Sequence, residues 1–462
     1  MITTSDSVSP PPQVQNVGRL SKSFPPGPKG AWLLGNLAEY RRGKLGLLER
    51  IRKEFGRLAT FRLGSRHVVL VSEPQLIKEA LVDRNKELGK TYSTRILGEF
   101  FGDGLLNSEG ENWLQDRRAI QPTFAMQQVK AFGECMVRQT LDYLETWHPG
   151  EPRDALVDMQ TLTMSIAAET LLGVKLEHEV KAIHRPHTEI REYFDRKLEG
   201  RWLLPRSVPT PYNRKIELAK RTIFDLVDAL IHKRRQAQTF GPDILSRLML
   251  AQAHSEKPLT DVQLRSQALT FLFAGHETTA SLLGWVWYLL AQHPAVEARL
   301  HEELDTVLGG RTPTVEDVPQ LVVTDQIIQE TLRLYPSVFL MSRELLTPGE
   351  WMGYSLPKGT NLAFSQWLMH RDADYFEQPL EFRPERWTAE FKRQLPPFAF
   401  FPFGGGPRVC IGNTFSVMEA VLVVATIASR YRLPLLSDTP VVPHPSVTLR
   451  PSPGVLVSCQ PR

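Results

Sequence analysis

One cysteine, Cys410, closes the run Phe403-Gly404-Gly405-Gly406-Pro407-Arg408-Val409-Cys410-Ile411-Gly412. Its glycines can take positive φ and let backbone come close to a ligand. An apolar helical pattern starts just after Gly412, and the free N–H groups of a helix start favour an anion. A thiol there is expected to ionise readily, and a thiolate can serve as the axial ligand that pushes electron density from a haem iron toward bound oxygen. A generic cysteine in a glycine turn would read instead as a small hydrophobe; the full ten-residue pattern does not.

A second constellation, Ala274-Gly275-His276-Glu277-Thr278-Thr279, interrupts an otherwise apolar run. Ala274 and Thr278 share a helix face, and Gly275 removes bulk where a flat cofactor and an oxygen molecule would need room. Hydroxyls and an acid at that point could move protons. The structural alternative is a kink relieved by threonine back-bonding. Trp113 and Arg117 lie four apart and so share a face of a predicted helix, by themselves an ordinary amphipathic pair. Glu330-Thr331-Leu332-Arg333 gives an i, i+3 acid–base pair, and Phe382-Arg383-Pro384-Glu385-Arg386-Trp387 follows some fifty residues later.

In this order and spacing, these motifs resemble the cytochrome P-450 family, from about Phe24 to the C-terminus. The resemblance implies a mainly α fold with minor β, one triangular domain over 24–462, and haem b held without a covalent bond between the long helix and the helix after Cys410. Cys410 would be the iron ligand, with Phe403, Gly412 and Ala274 along the cofactor. Trp113, Arg117, Arg343 (in Ser342-Arg343-Glu344-Leu345) and Arg408 would meet its propionates, since guanidinium suits carboxylate. Thr278 and Glu277 would stabilise bound dioxygen and relay protons, while Glu330, Arg333 and Arg386 would form a buried network that fixes geometry rather than adding net stability. The reaction implied is insertion of one atom of O2 into a hydrophobic, fatty-acid-like or terpenoid-like substrate, with Phe100, Phe101, Phe271, Ala274, Phe339 and Leu340 as pocket residues. Gly104-Leu105-Leu106-Asn107 and Ser342–Leu345 are similar to fatty-acid-hydroxylase branches. Some of those attach haem through an acid where Ala274 stands, so a non-covalent haem is expected. A peroxide-using or isomerising enzyme of the same fold and a haem-binding sensor are the alternatives; the acid–alcohol pair favours neither.

The elements that must position these residues follow from periodicity. Alternation from Arg57 to Val71 about Gly64-Ser65 predicts a hairpin, and Pro74 opens a helix to about Val82. Thr91 to Asn107 reads as a long loop. Residues 124–175 and 214–254 read as amphipathic helices, separated by Pro205, Pro209 and Pro211. His178, His184 and His187 sit in a polar stretch, suit no one helical face, and are read as solvated rather than as a metal cluster. Thr260-Asp261-Val262-Gln263 is a capping box, and from there the pattern stays helical to about Gln292, ~50 Å long. The polar cluster at its centre argues for a buried helix over a membrane span. Leu356 to Phe364, Val447 to Leu449 and Val455 to Val457 read as short strands, the last two flanking a turn at Pro451–Gly454.

Composition sets the remaining bounds. Fifty-five basic against 51 acidic residues leave a net charge of +4, too near balance for a nucleic-acid binder. Three widely spaced cysteines fit a reducing compartment, hence a cytoplasmic enzyme. Residues 1–23 read as a flexible tail without signal peptide or transmembrane anchor, and a monomer is expected. No second cofactor fingerprint follows residue 412, so electrons are expected from a separate ferredoxin or flavodoxin with its reductase. Arg117, Arg118, Lys392, Arg393 and Arg408 could help form the docking face.

Overall fold

Thr260 starts the element on which everything else rests. In the computed structural model, which describes residues 24–174, 177–198, 204–238, 240–253 and 258–462 (for 177–182 the backbone only), the helix Asp261–Gln292 runs unbroken through the core. Gln263 N–H donates to Thr260 Oγ1 (3.3 Å) and Thr260 N–H donates to Gln263 Oε1 (3.0 Å), so two orphan donors are satisfied reciprocally. Pro294, one residue beyond His293, opens the next helix, Pro294–Leu308. The helix is buried almost all round from Leu264 to Leu290 because it is wrapped by others: Ala155–Leu172 along one side, Val322–Leu334 and Asn413–Ala428 beneath. No helix among the described residues is long and apolar enough to cross a membrane.

A five-stranded sheet stands to one side. Leu58–Leu63 and Arg66–Val71 form the expected hairpin with Gly64 at φ 63°, and the strand order continues through Asn361–Phe364 and Met341–Leu345 to Leu88–Gly89. Arg343 and Lys90 thereby come to the same edge although some 250 positions apart in sequence. This is the mainly α, minor β architecture that the motifs implied.

Three local readings are corrected. The stretch read as a loop carries the helix Tyr92–Phe101, whose Ile96, Phe100 and Phe101 are buried; the aromatic residues are its core face, and Gly102 at φ 66° ends it. Residues 124–175 are broken into Met126–Lys130, Gly133–Leu144 and Ala155–Leu172. The polar stretch after them is the helix Glu177–Leu198, with Pro186 inside it. His187 is 3 % exposed, not solvated, because Ile183, His187, Ile190 and Phe194 recur on the face turned to the core; His184 is half-buried. Short strands stand about Pro451–Gly454 as expected: Leu449–Ser452 pairs with Val442–Pro445, and Leu456–Ser458 with Pro152–Asp154. Pro211 begins the helix Pro211–Ala237, while the N-terminal tail and the His178 side chain lie outside the described residues.

Candidate functional site

The cysteine loop is shaped by its glycines. Gly404 and Gly406 have φ of 71° and 67°. A Cβ on Gly406 would run into the Leu81 carbonyl, and one on Gly405 into the Phe398 ring. Cys410 N–H donates to the Phe403 carbonyl (3.0 Å), Phe403 being half-buried, and Gly412 caps the helix Asn413–Ala428. Upstream, Phe401 N–H donates to His370 Nε2 (3.0 Å), fixing the approach to the loop. The expectation of a readily ionised thiol is not met by this loop alone. Burial pushes the Cys410 thiol up, while the Gly412 N–H and the Arg117 guanidinium pull the other way. A cation bound at the sulfur would reverse that balance and deprotonate it.

Cys410 is nevertheless exposed, and so is Ala274 in the middle of the buried central helix, between Leu272 and His276 at 0 % and 2 %. Exposure deep within the protein means that both line an internal hollow. Its walls are joined on one side by Phe124, which lies 3.9 Å from where a Gly412 Cβ would stand and meets the Phe271 ring edge-on at 5.7 Å. Thr279 Oγ1 and Ser416 Oγ, 3.1 Å apart, tie the central helix to the helix after the cysteine. Thr278 Oγ1 donates to the Ala274 carbonyl one turn back (2.8 Å), and Ser337 Oγ donates to the Thr278 carbonyl (2.8 Å).

Glu277 is turned away from solvent, with Thr448 Oγ1 at 3.4 Å and Arg450 Nε at 3.9 Å from its Oε1. Burial raises its carboxyl above the usual range; the nearby Arg191 and Arg450 oppose this. Arg450 also reaches Asp195 (3.4 Å), which Arg191 meets in turn (3.3 Å). A chain of ionisable groups thus leads from Glu277 to the helix Glu177–Leu198. Sequence reasoning missed Arg450, Asp195 and Arg191, since nothing in their spacing links three distant segments. It also missed Glu419, a buried acid beside Thr279 whose carboxyl is held well above its ordinary range by burial.

Around the loop, positive charge outweighs negative. Lys90, Arg343 and Arg408 share one nearby carboxylate, Glu109. Burial pushes all three down, and repulsion from neighbouring cations adds to it for Lys90 and for Arg343, which falls to about 10. Arg408 lies 4.3 Å over the Trp113 ring and donates to the Ser108 carbonyl (3.1 Å), while Arg117 donates to the Val409 carbonyl (3.0 Å). Three cations crowded on one acid are unstable without a further anion, and a dianion such as the propionate pair of haem fits them. Lys90 was not anticipated. With the exposed thiol, the alanine wall and this charge, the residues present fit a haem.

Of the expected pocket residues, Phe100, Phe101 and Phe271 belong to the main core beside the central helix. Phe100 and Phe101 meet Phe194, and Phe101 meets Phe273 at 4.5 Å. Phe339 is packed elsewhere, with Leu45, Trp367 and Leu449, and Leu340 lies against that same group. Below the loop, Glu330 accepts from Arg333 (2.8 Å), Arg386 (3.1 Å) and Trp387 Nε1 (2.9 Å). Arg333, fully buried, donates further to the carbonyls of His370, Pro379 and Glu381.

Comparison with known proteins agrees with this geometry. The Cytochrome P-450 family model matches residues 25–458. A cyclooctat-9-en-7-ol 5-monooxygenase of Streptomyces melanosporofaciens is 34% identical over 100% of this chain and 99% of its own length. A pentalenene oxygenase of Streptomyces avermitilis is 31% identical over 84% and 86%. The crystal structure of a "cytochrome P450DA heme domain" superposes with a TM-score of 0.86 at 26% identity, covering 96% of this chain and 99% of that one. The chain therefore belongs to the cytochrome P-450 family and is a haem-dependent monooxygenase.

Proposed function

We propose that residues 24–462 act as one catalytic unit that hydroxylates a cyclic, terpenoid-like hydrocarbon, taking electrons from a separate ferredoxin or flavodoxin as a cytoplasmic monomer. The observation that carries the site assignment is the pairing of an exposed Cys410 with an exposed Ala274 deep in the fold. Cys410 would ligate the iron, and Lys90, Arg343 and Arg408 would hold the propionates, with Trp113 bracing Arg408 and Arg117 bracing the backbone beside the cysteine. The cofactor is not covalently attached: Ala274 offers no carboxyl to form an ester, and a haem-sized mass increment on the denatured chain would count against this. When bound, haem supplies reductive activation of dioxygen, one atom going to the substrate and the other leaving as water.

The chain supplies the rest. Thr278, its own proton committed to Ala274, presents lone pairs to the hollow and accepts a hydrogen bond there. Glu277, its carboxyl raised by burial, takes up and passes protons, and Arg191 and Arg450 temper that rise, with Asp195 paired to both. Phe101, Phe271 and Phe273 keep water out and orient an apolar ring system. The terpenoid-like choice is supported by the cyclic compounds named for two relatives and by these rigid aromatic walls.

The test is the spectrum of the dithionite-reduced, carbon-monoxide-bound protein beside Cys410→His, followed by a substrate screen. A red-shifted thiolate-type Soret band lost in the variant, with cyclic terpenes shifting the ferric spin state, is the expected result. An imidazole-type band in the parent removes the Cys410 assignment; turnover of fatty acids in place of terpenes removes the substrate assignment.

A further inference from the structure

Beside Glu277, two imidazoles to which the proposed reaction gives no role meet in the core. The rings of His187 and His276 are 4.6 Å apart and nearly perpendicular at 84°. They are 3 % and 2 % exposed. His276 Nε2 lies 2.9 Å from the Gln160 carbonyl, an acceptor only, so Nε2 carries the proton and Nδ1 keeps a free lone pair. That Nδ1 has no partner, and neither has His187 Nε2. A buried nitrogen without a partner has given up its hydration for nothing. Two of them side by side point to a shared ligand.

A third donor completes the set. One ligand atom from each of His187, His276 and Glu277 lies within 4.8 Å of the others. Bonds of ~2.0–2.1 Å to a common tetrahedral ion would draw these atoms closer by a little over an ångström, within reach of small side-chain rotations. The outer supports that metal sites use are in place: the Gln160 carbonyl fixes the tautomer of His276, Thr448 Oγ1 approaches Glu277, and Phe273 stacks on His187 at 4.3 Å. Burial keeps both imidazoles neutral, the form that binds metal, with His276 held down to about 3. Arg450, 3.9 Å from Glu277, is the competing cation, and Asp195 is its alternative partner.

We propose that His187, His276 and Glu277 form a site for a divalent transition metal of the zinc class, with water in the fourth position, and that filling it withdraws Glu277 from proton transfer. Zinc would then be an inhibitor acting on the proton path rather than at the haem. Binding is independent of the function proposed above; the inhibition rests on the role given there to Glu277.

The experiment is calorimetric titration of the haem-loaded enzyme with zinc chloride, for the parent and for His187→Phe, which keeps an aromatic ring against Phe273 and removes the nitrogens. Turnover is read in the same solutions, and zinc-edge X-ray absorption is recorded on the parent. One zinc per chain is expected, with imidazole scattering in the absorption spectrum, affinity at least about tenfold lower in the variant as befits loss of one of three ligands, and slowed turnover in the parent alone. No zinc uptake by the parent would mean that a water bridges the imidazoles, and the proposal falls. Equal affinity in the variant, or a spectrum without imidazole scattering, overturns it as well and needs no folded variant in the second case. Zinc bound at the site without slowing turnover upholds the site and overturns its coupling to Glu277.

Discussion

Glu277 cannot stay charged without its neighbours. It is buried, its pKa is raised by desolvation, and Arg191 and Arg450 favour ionisation. A carboxyl raised in this way holds a proton more readily than a surface glutamate, which suits a group that takes up and hands on protons. Glu277→Gln keeps the shape and removes the proton. It is expected to lower kcat about 10²-fold or more while leaving substrate affinity in place, as measured by steady-state turnover and by the substrate-induced spectral shift. Equal losses in binding and turnover would argue that Glu277 only shapes the pocket.

At the scale of elements, the helix Asn413–Ala428 must be held firmly for the cysteine loop to keep its geometry. Its Leu422 and the Val315 side chain close over Gly133, where an added Cβ would collide with Val315. Gly133→Ala is accordingly expected to destabilise the protein by about 1–3 kcal/mol in chemical denaturation. Val315 belongs to the short 3-10 turn Val315–Gln320, which Asp317 caps through Thr314 while pairing with Arg311 (2.6 Å). The Arg311 hydrogen bond holds the Asp317 carboxyl down to about 2. A folded pKa below the unfolded value of about 3.9 adds stability in full above that value, lost as pH falls through about 2. Asp317→Asn should therefore lower Tm at neutral pH, and the gap to the parent should close as scanning calorimetry is carried down toward pH 2.

These elements were unequally legible. The central helix declared itself by a capping box, a long apolar run and a proline stop, all local signals. The helix Tyr92–Phe101 was hidden because Phe100 and Phe101, flanked by glycines, read as loop aromatics; their burial depends on Phe194 and Phe273 from other segments. His187 was misjudged for the same reason: its polar neighbours face solvent while its own face meets the central helix.

At the scale of the whole molecule, Glu330 and Arg333 tie the helix Val322–Leu334 to the segment 370–387 that leads into the cysteine loop. Both side chains are fully buried, so each is tolerable only with the other. Glu330→Ala would strand Arg333 and Arg386 and leave Trp387 Nε1 without its acceptor. The expected cost is about 3–5 kcal/mol, read as a lower haem-to-protein ratio after purification and an earlier unfolding midpoint. Normal haem content with an unchanged midpoint would mean that the network is ornamental.

What the sequence determined by itself is the chemistry and its order: a thiol at the end of a glycine loop, an acid and an alcohol within an apolar helix, and paired charges between them. Residue type and short-range spacing carry that information, because the loop's φ angles, the helix caps and the i, i+4 faces are local. Only the tertiary structure decided which distant groups converge. Lys90 and Arg343 meet because their strands are neighbours in one sheet; Glu277 gains Arg450 and Asp195 because three separate segments close on it. His187 faces His276 because residues some ninety positions apart, on different helices, are brought together in the core. Burial and long-range electrostatics depend on every segment at once, so they set the protonation of these groups only after the chain has folded.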